Sequence, residues 1–230
     1  MIVREENGRY ILIEQHEHAL ASGQFARYWA DKPSPLEPTL YAIANHDLGW
    51  RELDREMLWN EETRKPYSFV DYPIEPKLQG YRRGLDAVQE KSPYAALLCS
   101  MHYSSFVQRS TGQAEVRFRE EESRRQEKVR ADLSREELEN VEYNFRLLQL
   151  CDDFSLFVCL NEPGHNEHPW YRKGFCFLGK KLTPIWEDRH TLRIEPDPFS
   201  GSFRLSIPYR LMEKGGEPAG DGHLELRVVG

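Results

Sequence analysis

The four cysteines (Cys99, Cys151, Cys159, Cys176) include no C-x-x-C pair, so the common thiolate zinc motifs are excluded and reduced thiols are expected. Long apolar runs are also missing. The longest, such as Ala95–Cys99, fall far short of the roughly 18 residues of a membrane span, so no membrane partner is expected. There is no Walker lysine loop, no G-x-G-x-x-G and no nucleophile elbow, which leaves ATPase, dinucleotide oxidoreductase and serine hydrolase readings without support. Positive charge is in deficit: 31 Lys and Arg against 38 Asp and Glu give a net charge of −7. A nucleic-acid partner, which needs a basic footprint, is therefore not expected. The start, Met1-Ile2-Val3-Arg4-Glu5-Glu6-Asn7, carries acids where a leader would need a basic flank and an apolar stretch; a cytoplasmic chain is expected. No internal repeat or low-complexity tract is present. What is present is 39% hydrophobic and 12% aromatic residues over 230 positions, enough to close a core.

Met1–Val3 and Arg9–Ile13 flank Asn7-Gly8, the signature of a tight hairpin turn. A helix is expected over about 17–31, stopped by Lys32-Pro33-Ser34-Pro35. A second opens at Pro38-Thr39 and is closed by Gly49. Residues 60–80, with Pro66, Pro73, Pro76 and Gly80 among Tyr67, Phe69 and Tyr72, read as an ordered loop packed by its aromatics. Ser92-Pro93 caps a helix to about Arg109. The charged stretch 115–133 reads as a solvated helix laced by i,i+4 pairs. Ser134 and Glu137 form a capping box that launches the longest helix, to about Leu160. Past Pro163-Gly164 the alternation of 191–194, 203–207 and 223–229 predicts strands.

Polar residues interrupt apolar stripes in four of these helices. Positions 141, 145, 148, 152, 156 and 159 follow one face of the longest helix, which sets Asp152 in the seam and turns Asp153 well away. His18, Ser22, Phe25 and Trp29 share one face, with His16 pointing elsewhere into solvent. Tyr94, Leu98, His102 and Phe106 share another. His46 and Asp47, roughly 100° apart, can reach one point off the end of the second helix. Each residue alone has an ordinary reading, a hydrogen-bonded cap, an ion pair or a satisfied core histidine. Together they read as one polar centre. Imidazoles with carboxylates suit a divalent transition metal (Mn, Fe, Zn or Co), and three or four protein ligands leave room for water. The His165-x-x-His168 pair, among Pro163, Gly164 and Pro169, reads as an exposed loop.

His18, His46-Asp47-Leu48-Gly49 and Asp152, in that order, resemble the H…HD…D arrangement of the HD-domain superfamily. More closely, over roughly residues 1–175, the chain resembles an uncharacterised bacterial domain-of-unknown-function family. That likeness rests on His46-Asp47-Leu48-Gly49-Trp50-Arg51, Ser92-Pro93-Tyr94, Ser100-Met101-His102 and Leu147-Leu148-Gln149-Leu150-Cys151-Asp152. Trp50 departs from the Lys or His that many HD hydrolases carry there. The HD resemblance implies a helical bundle; with the hairpin and strands read from the residues, the expected fold is mainly α, an HD-domain-like helical bundle with an N-terminal β-hairpin (1–162) and a small β-rich C-terminal region (163–230) packed on it, α+β overall. It implies one or two metal ions held by His18, His46, Asp47 and Asp152, and a metal-dependent hydrolase acting on a small phosphate ester or nucleotide. Asp47 would also orient water, and His102 would protonate the leaving group or bind phosphate. Trp50, Arg51, Arg82 and Arg83 are the expected substrate-binding residues, the arginines neutralising substrate charge. A second reading is a non-catalytic metal- or ligand-binding protein, self-associating through the β tail into a homo-oligomer. A third is an HD-type di-iron oxygenase with His102 as an added ligand.

Overall fold

The computed structural model describes residues 1–230. The hairpin forms as its turn chemistry requires: β1 (Ile2–Glu6) pairs with β2 (Arg9–Ile13), and Asn7 and Gly8 take φ of 50° and 80°. Helix α1 (Gln15–Tyr28) follows directly, then α2 (Leu36–Asn45) and a single 3₁₀ turn at Leu48–Trp50. A two-residue hairpin, β3 (Trp59–Asn60) with β4 (Lys65–Pro66), precedes α3 (Ile74–Lys91). Then come α4 (Pro93–Phe106), α5 (Gln113–Ala131) and α6 (Arg135–Leu160). The rest is β5 (Phe175–Phe177), β6 (Lys180–Asp188), β7 (Thr191–Glu195), β8 (Phe203–Glu213) and β9 (Pro218–Val229).

The expected mainly helical, HD-like bundle is overturned. The fold is α+β: six helices stand against one seven-stranded sheet in the order β1-β2-β8-β9-β7-β6-β5. The N-terminal hairpin is no ornament on the helices, because β2 pairs antiparallel with β8, Arg9 opposite Glu213 and Leu12 opposite Arg210. The backbone groups of β2 thus find partners about two hundred residues away. Inward-facing Phe203, Leu205 and Ile207 of β8 and Leu224, Leu226 and Val228 of β9 are buried, in the alternation of a sheet with one covered face. Phe25 of α1 joins the layers, its ring 5.2 Å from Phe154 of α6 and 5.5 Å from Phe203 of β8.

The caps read from sequence are present. Ala95 donates to Ser92 Oγ, and Ser134 and Glu137 form the capping box of α6. Helix α5 buries Phe118, Glu122 and Val129, and its Arg125 reaches across to Asp86 of α3, so it is docked along one face and not wholly solvated. Helix α3 begins inside the stretch expected to be loop. Pro76 lies in its first turn, where a missing N–H costs nothing, so a residue read as a breaker sits at the start of a helix. No helix is long and apolar enough to cross a membrane.

Candidate metal centre

Helices α1, α4 and α6 and the turn that ends α2 bring His18, His46, Asp47, His102 and Asp152 to one buried point, and all of these but His46 line a cavity. His18, His46 and Asp152 each place a ligand atom within 4.8 Å of the other two. His46 Nε2 lies 3.4 Å from Asp152 Oδ1 and 3.8 Å from Asp47 Oδ2, and His18 Nδ1 lies 3.8 Å from Asp152 Oδ1. Donor atoms around one ion at about 2.1 Å stand roughly 3–4 Å apart, so these spacings suit a shared cation. Asp47 lies outside the three-residue set but touches it: its Oδ2 is 3.0 Å from His18 Nε2.

Hydrogen bonds orient the rings. The Ile43 carbonyl, which can only accept, lies 2.8 Å from His46 Nδ1. That nitrogen therefore carries a proton, and Nε2, buried and without a hydrogen-bond partner, faces the carboxylates. Asp47 Oδ2, which can only accept, lies 3.0 Å from His18 Nε2, so that nitrogen donates to it, while Ser155 Oγ lies 2.8 Å from His18 Nδ1 and 2.9 Å from the Asp152 carbonyl. Gln15 Nε2 donates to the same Asp47 oxygen at 3.1 Å and fixes the carboxylate.

The electrostatics agree. Burial pulls the His46 imidazole down, but Asp47 and Asp152 outweigh it and lift the pKa to about 9. Burial pushes Asp152 up, but His46, His102 and His18 hold it down at about 2. Asp47 is likewise lowered: burial raises it, and the His46 charge and the His18 hydrogen bond prevail. His102 is lowered to about 4, burial prevailing over Asp152, whose Oδ2 lies 3.5 Å from its Nε2. The centre attracts positive charge, and a divalent ion competes with protons for it.

Trp50 lines the cavity as expected, whereas the expected arginines do not. Arg82 pairs with Glu121 of α5 and Arg83 with Glu52, both directed away from the cavity by the turn of α3 on which they sit; Arg51 is exposed outside it. The cation in the cavity is Lys77, about one and a half turns earlier on α3, which no stripe or spacing marked. Asp153, expected to turn away, also lines the cavity, because the cavity extends around α6 toward the 161–174 loop. There Tyr171 Oη donates to it at 3.3 Å, and burial and the Asp152 charge lift its pKa to about 7. His16 is half-buried and not solvated, and burial lowers it to about 4. His165 and His168 lie in a loop outside the ligand set. No thiol joins the centre: Cys99, Cys151 and Cys159 are buried elsewhere and Cys176 is exposed.

Fold and site thus define an α+β protein with a buried His-His-Asp group, able to hold a metal ion, under a half-open cavity. The chain belongs to the family described as "Protein of unknown function (DUF3891)", whose model matches residues 1–214, and that match makes no tie to HD domains. No curated protein and no solved structure matches the chain.

Proposed function

We propose that this protein is a metal-dependent hydrolase of a small phosphate ester or nucleotide. The observation that carries the reading is His46: its Nδ1 proton is held by Ile43 while its Nε2 faces Asp152, which lines the cavity, at 3.4 Å. His18, His46 and Asp152, with Asp47 beside them, would hold one or two ions of Mn, Fe, Zn or Co. Such an ion, when bound, lowers the pKa of a water and polarises a phosphoryl oxygen. Asp47, fixed by Gln15, orients the attacking water. The water oxygen bonds to phosphorus and loses a proton. The P–O bond to the alcohol breaks, its electron pair stays on the alcohol oxygen, and that oxygen takes up a proton. His102, on the cavity wall, is placed to hydrogen-bond the leaving oxygen or the phosphate.

The test is metal analysis of protein purified without chelator, joined to phosphate release from a panel of phosphate esters. Stoichiometric metal lost in both His46→Ala and Asp152→Ala, with phosphate release lost alongside, is the expected result. Absence of metal together with unchanged stability in both variants would defeat the reading. Bound metal without phosphate release leaves a metal-binding protein. Two irons with oxygen uptake indicate an oxygenase.

A further inference from the structure

Three separate segments surround the mouth of the cavity, and each presents a large apolar side chain to solvent. These are Val70 from the loop before α3 (61% exposed), Phe106 at the end of α4 (53%) and Trp170 from the 161–174 loop (54%). The protein has eight exposed large hydrophobic side chains, and three of them meet here. Such a concentration marks a recognition surface, since scattered apolar residues need no explanation and clustered ones do. Phe69 and Trp170 meet edge to face at 6.1 Å, and Phe106 stands over His102 at 4.6 Å. Most of the apolar lining is aromatic: Trp50, Phe69, Tyr81, Phe106, Trp170 and Tyr171.

Positive charge in this cavity comes from Lys77. Its Nζ donates to the Phe69 carbonyl at 2.7 Å and lies 5.8 Å from the centre of the Trp50 ring. An ammonium has three donors, so after the Phe69 bond two remain for an anion. One lysine and one metal group match one phosphate. A triphosphate would meet Asp47, Asp152 and Asp153 with too little positive charge to balance it. The cavity, about 300 Å³, lies at the small end of ligand sites.

Resting on the hydrolase reading above, we propose that the substrate is a single-phosphate ester of an alcohol carrying a flat apolar ring, with Lys77 on the phosphate and Val70, Phe106 and Trp170 around the ring.

Non-hydrolysable phosphonates test this without the differing reactivity of leaving groups. Calorimetry on manganese-loaded full-length protein compares 1-naphthylmethylphosphonate, methylphosphonate, dodecylphosphonate and a triphosphate. The naphthyl compound is expected to bind at least tenfold more tightly than each of the others, about the worth of covering one aromatic face. Trp170→Ala and Phe106→Ala, half-exposed positions outside the His18-His46-Asp152 group, should collapse that preference with metal content and thermal melt retained. Lys77→Gln should weaken both the naphthyl and the methyl compound by about tenfold. Equal binding of naphthyl and methyl compounds, tighter binding of the dodecyl chain or the triphosphate, or a preference that survives both substitutions overturns the proposal. Phosphate release without ring preference sinks this substrate class alone. Ring-selective phosphonate binding with no phosphate release from 1-naphthylmethyl phosphate sinks the hydrolase reading alone.

Discussion

Gly49 and Gly84 touch backbone to backbone: a Cβ added to Gly84 would lie 2.4 Å from Gly49 N and 2.6 Å from its Cα. Gly84 belongs to α3, and Gly49 to the 3₁₀ turn that follows His46 and Asp47. This contact lets α3 lie against the ligand-bearing turn and hold Lys77 and Tyr81 over the metal group. Gly84→Ala gains up to about 1 kcal/mol of helix propensity. The overlap outweighs it, because backbone cannot swing aside as a side chain can. A net loss of about 1–3 kcal/mol is expected in urea denaturation, with weaker metal binding alongside.

Ser155 holds His18 from behind the centre. Ser155→Ala removes the hydroxyl that lies 2.8 Å from Nδ1 and leaves that buried nitrogen without a partner. Metal affinity should fall by about 10–100-fold, as for other groups that orient metal ligands, in a competition titration with a chromogenic chelator. An affinity unchanged within twofold would show that His18 needs no such support.

A cation that binds the folded chain and not the unfolded one must raise its stability. At free metal about 100 times Kd the gain is about 2.7 kcal/mol, which for a chain of this length is a rise in Tm of roughly 5–10 °C. EDTA should reverse the rise in a thermal melt. Asp152→Asn should show little of it.

Phe25 contacts Phe154, Phe199 and Phe203 and is fully buried. Phe25→Ala opens a cavity where α1, α6 and the sheet meet, at a cost of about 3–5 kcal/mol in chemical denaturation. A loss under 1 kcal/mol would mean that the helical layer and the sheet are held together elsewhere.

The centre was legible in the sequence because a polar residue on an apolar stripe is a local signal. His18, His102 and Asp152 stand at helical spacing among Phe25, Leu98 and Leu148. Capping at Ser92 and Ser134 was legible for the same reason. The pairing of β2 with β8 was not, since strand patterns do not name a partner far along the chain, and a resemblance to helical proteins steered the fold toward a bundle. Helix α3 was hidden by Pro76 and Gly80, which read as breakers; Gly80, like Gly84 further along, allows close packing, and the proline sits where a helix tolerates it. With α3 hidden, Lys77 was hidden too. Arg82 and Arg83 drew attention by residue type alone.

The pairing of β2 with β8 also governs when the protein can be completed during synthesis. From Ile13 to Phe203 the chain runs 203 − 13 = 190 residues, and all six helices lie within that interval. At about 5–20 residues per second, the open edge of β2 waits on the order of 10–40 s for its neighbour to leave the ribosome. Helix α1, which carries His18, leads directly from that waiting strand. The finished sheet is therefore a late, long-range event, and the outer edge of the first hairpin stays without its partner strand until β8 arrives.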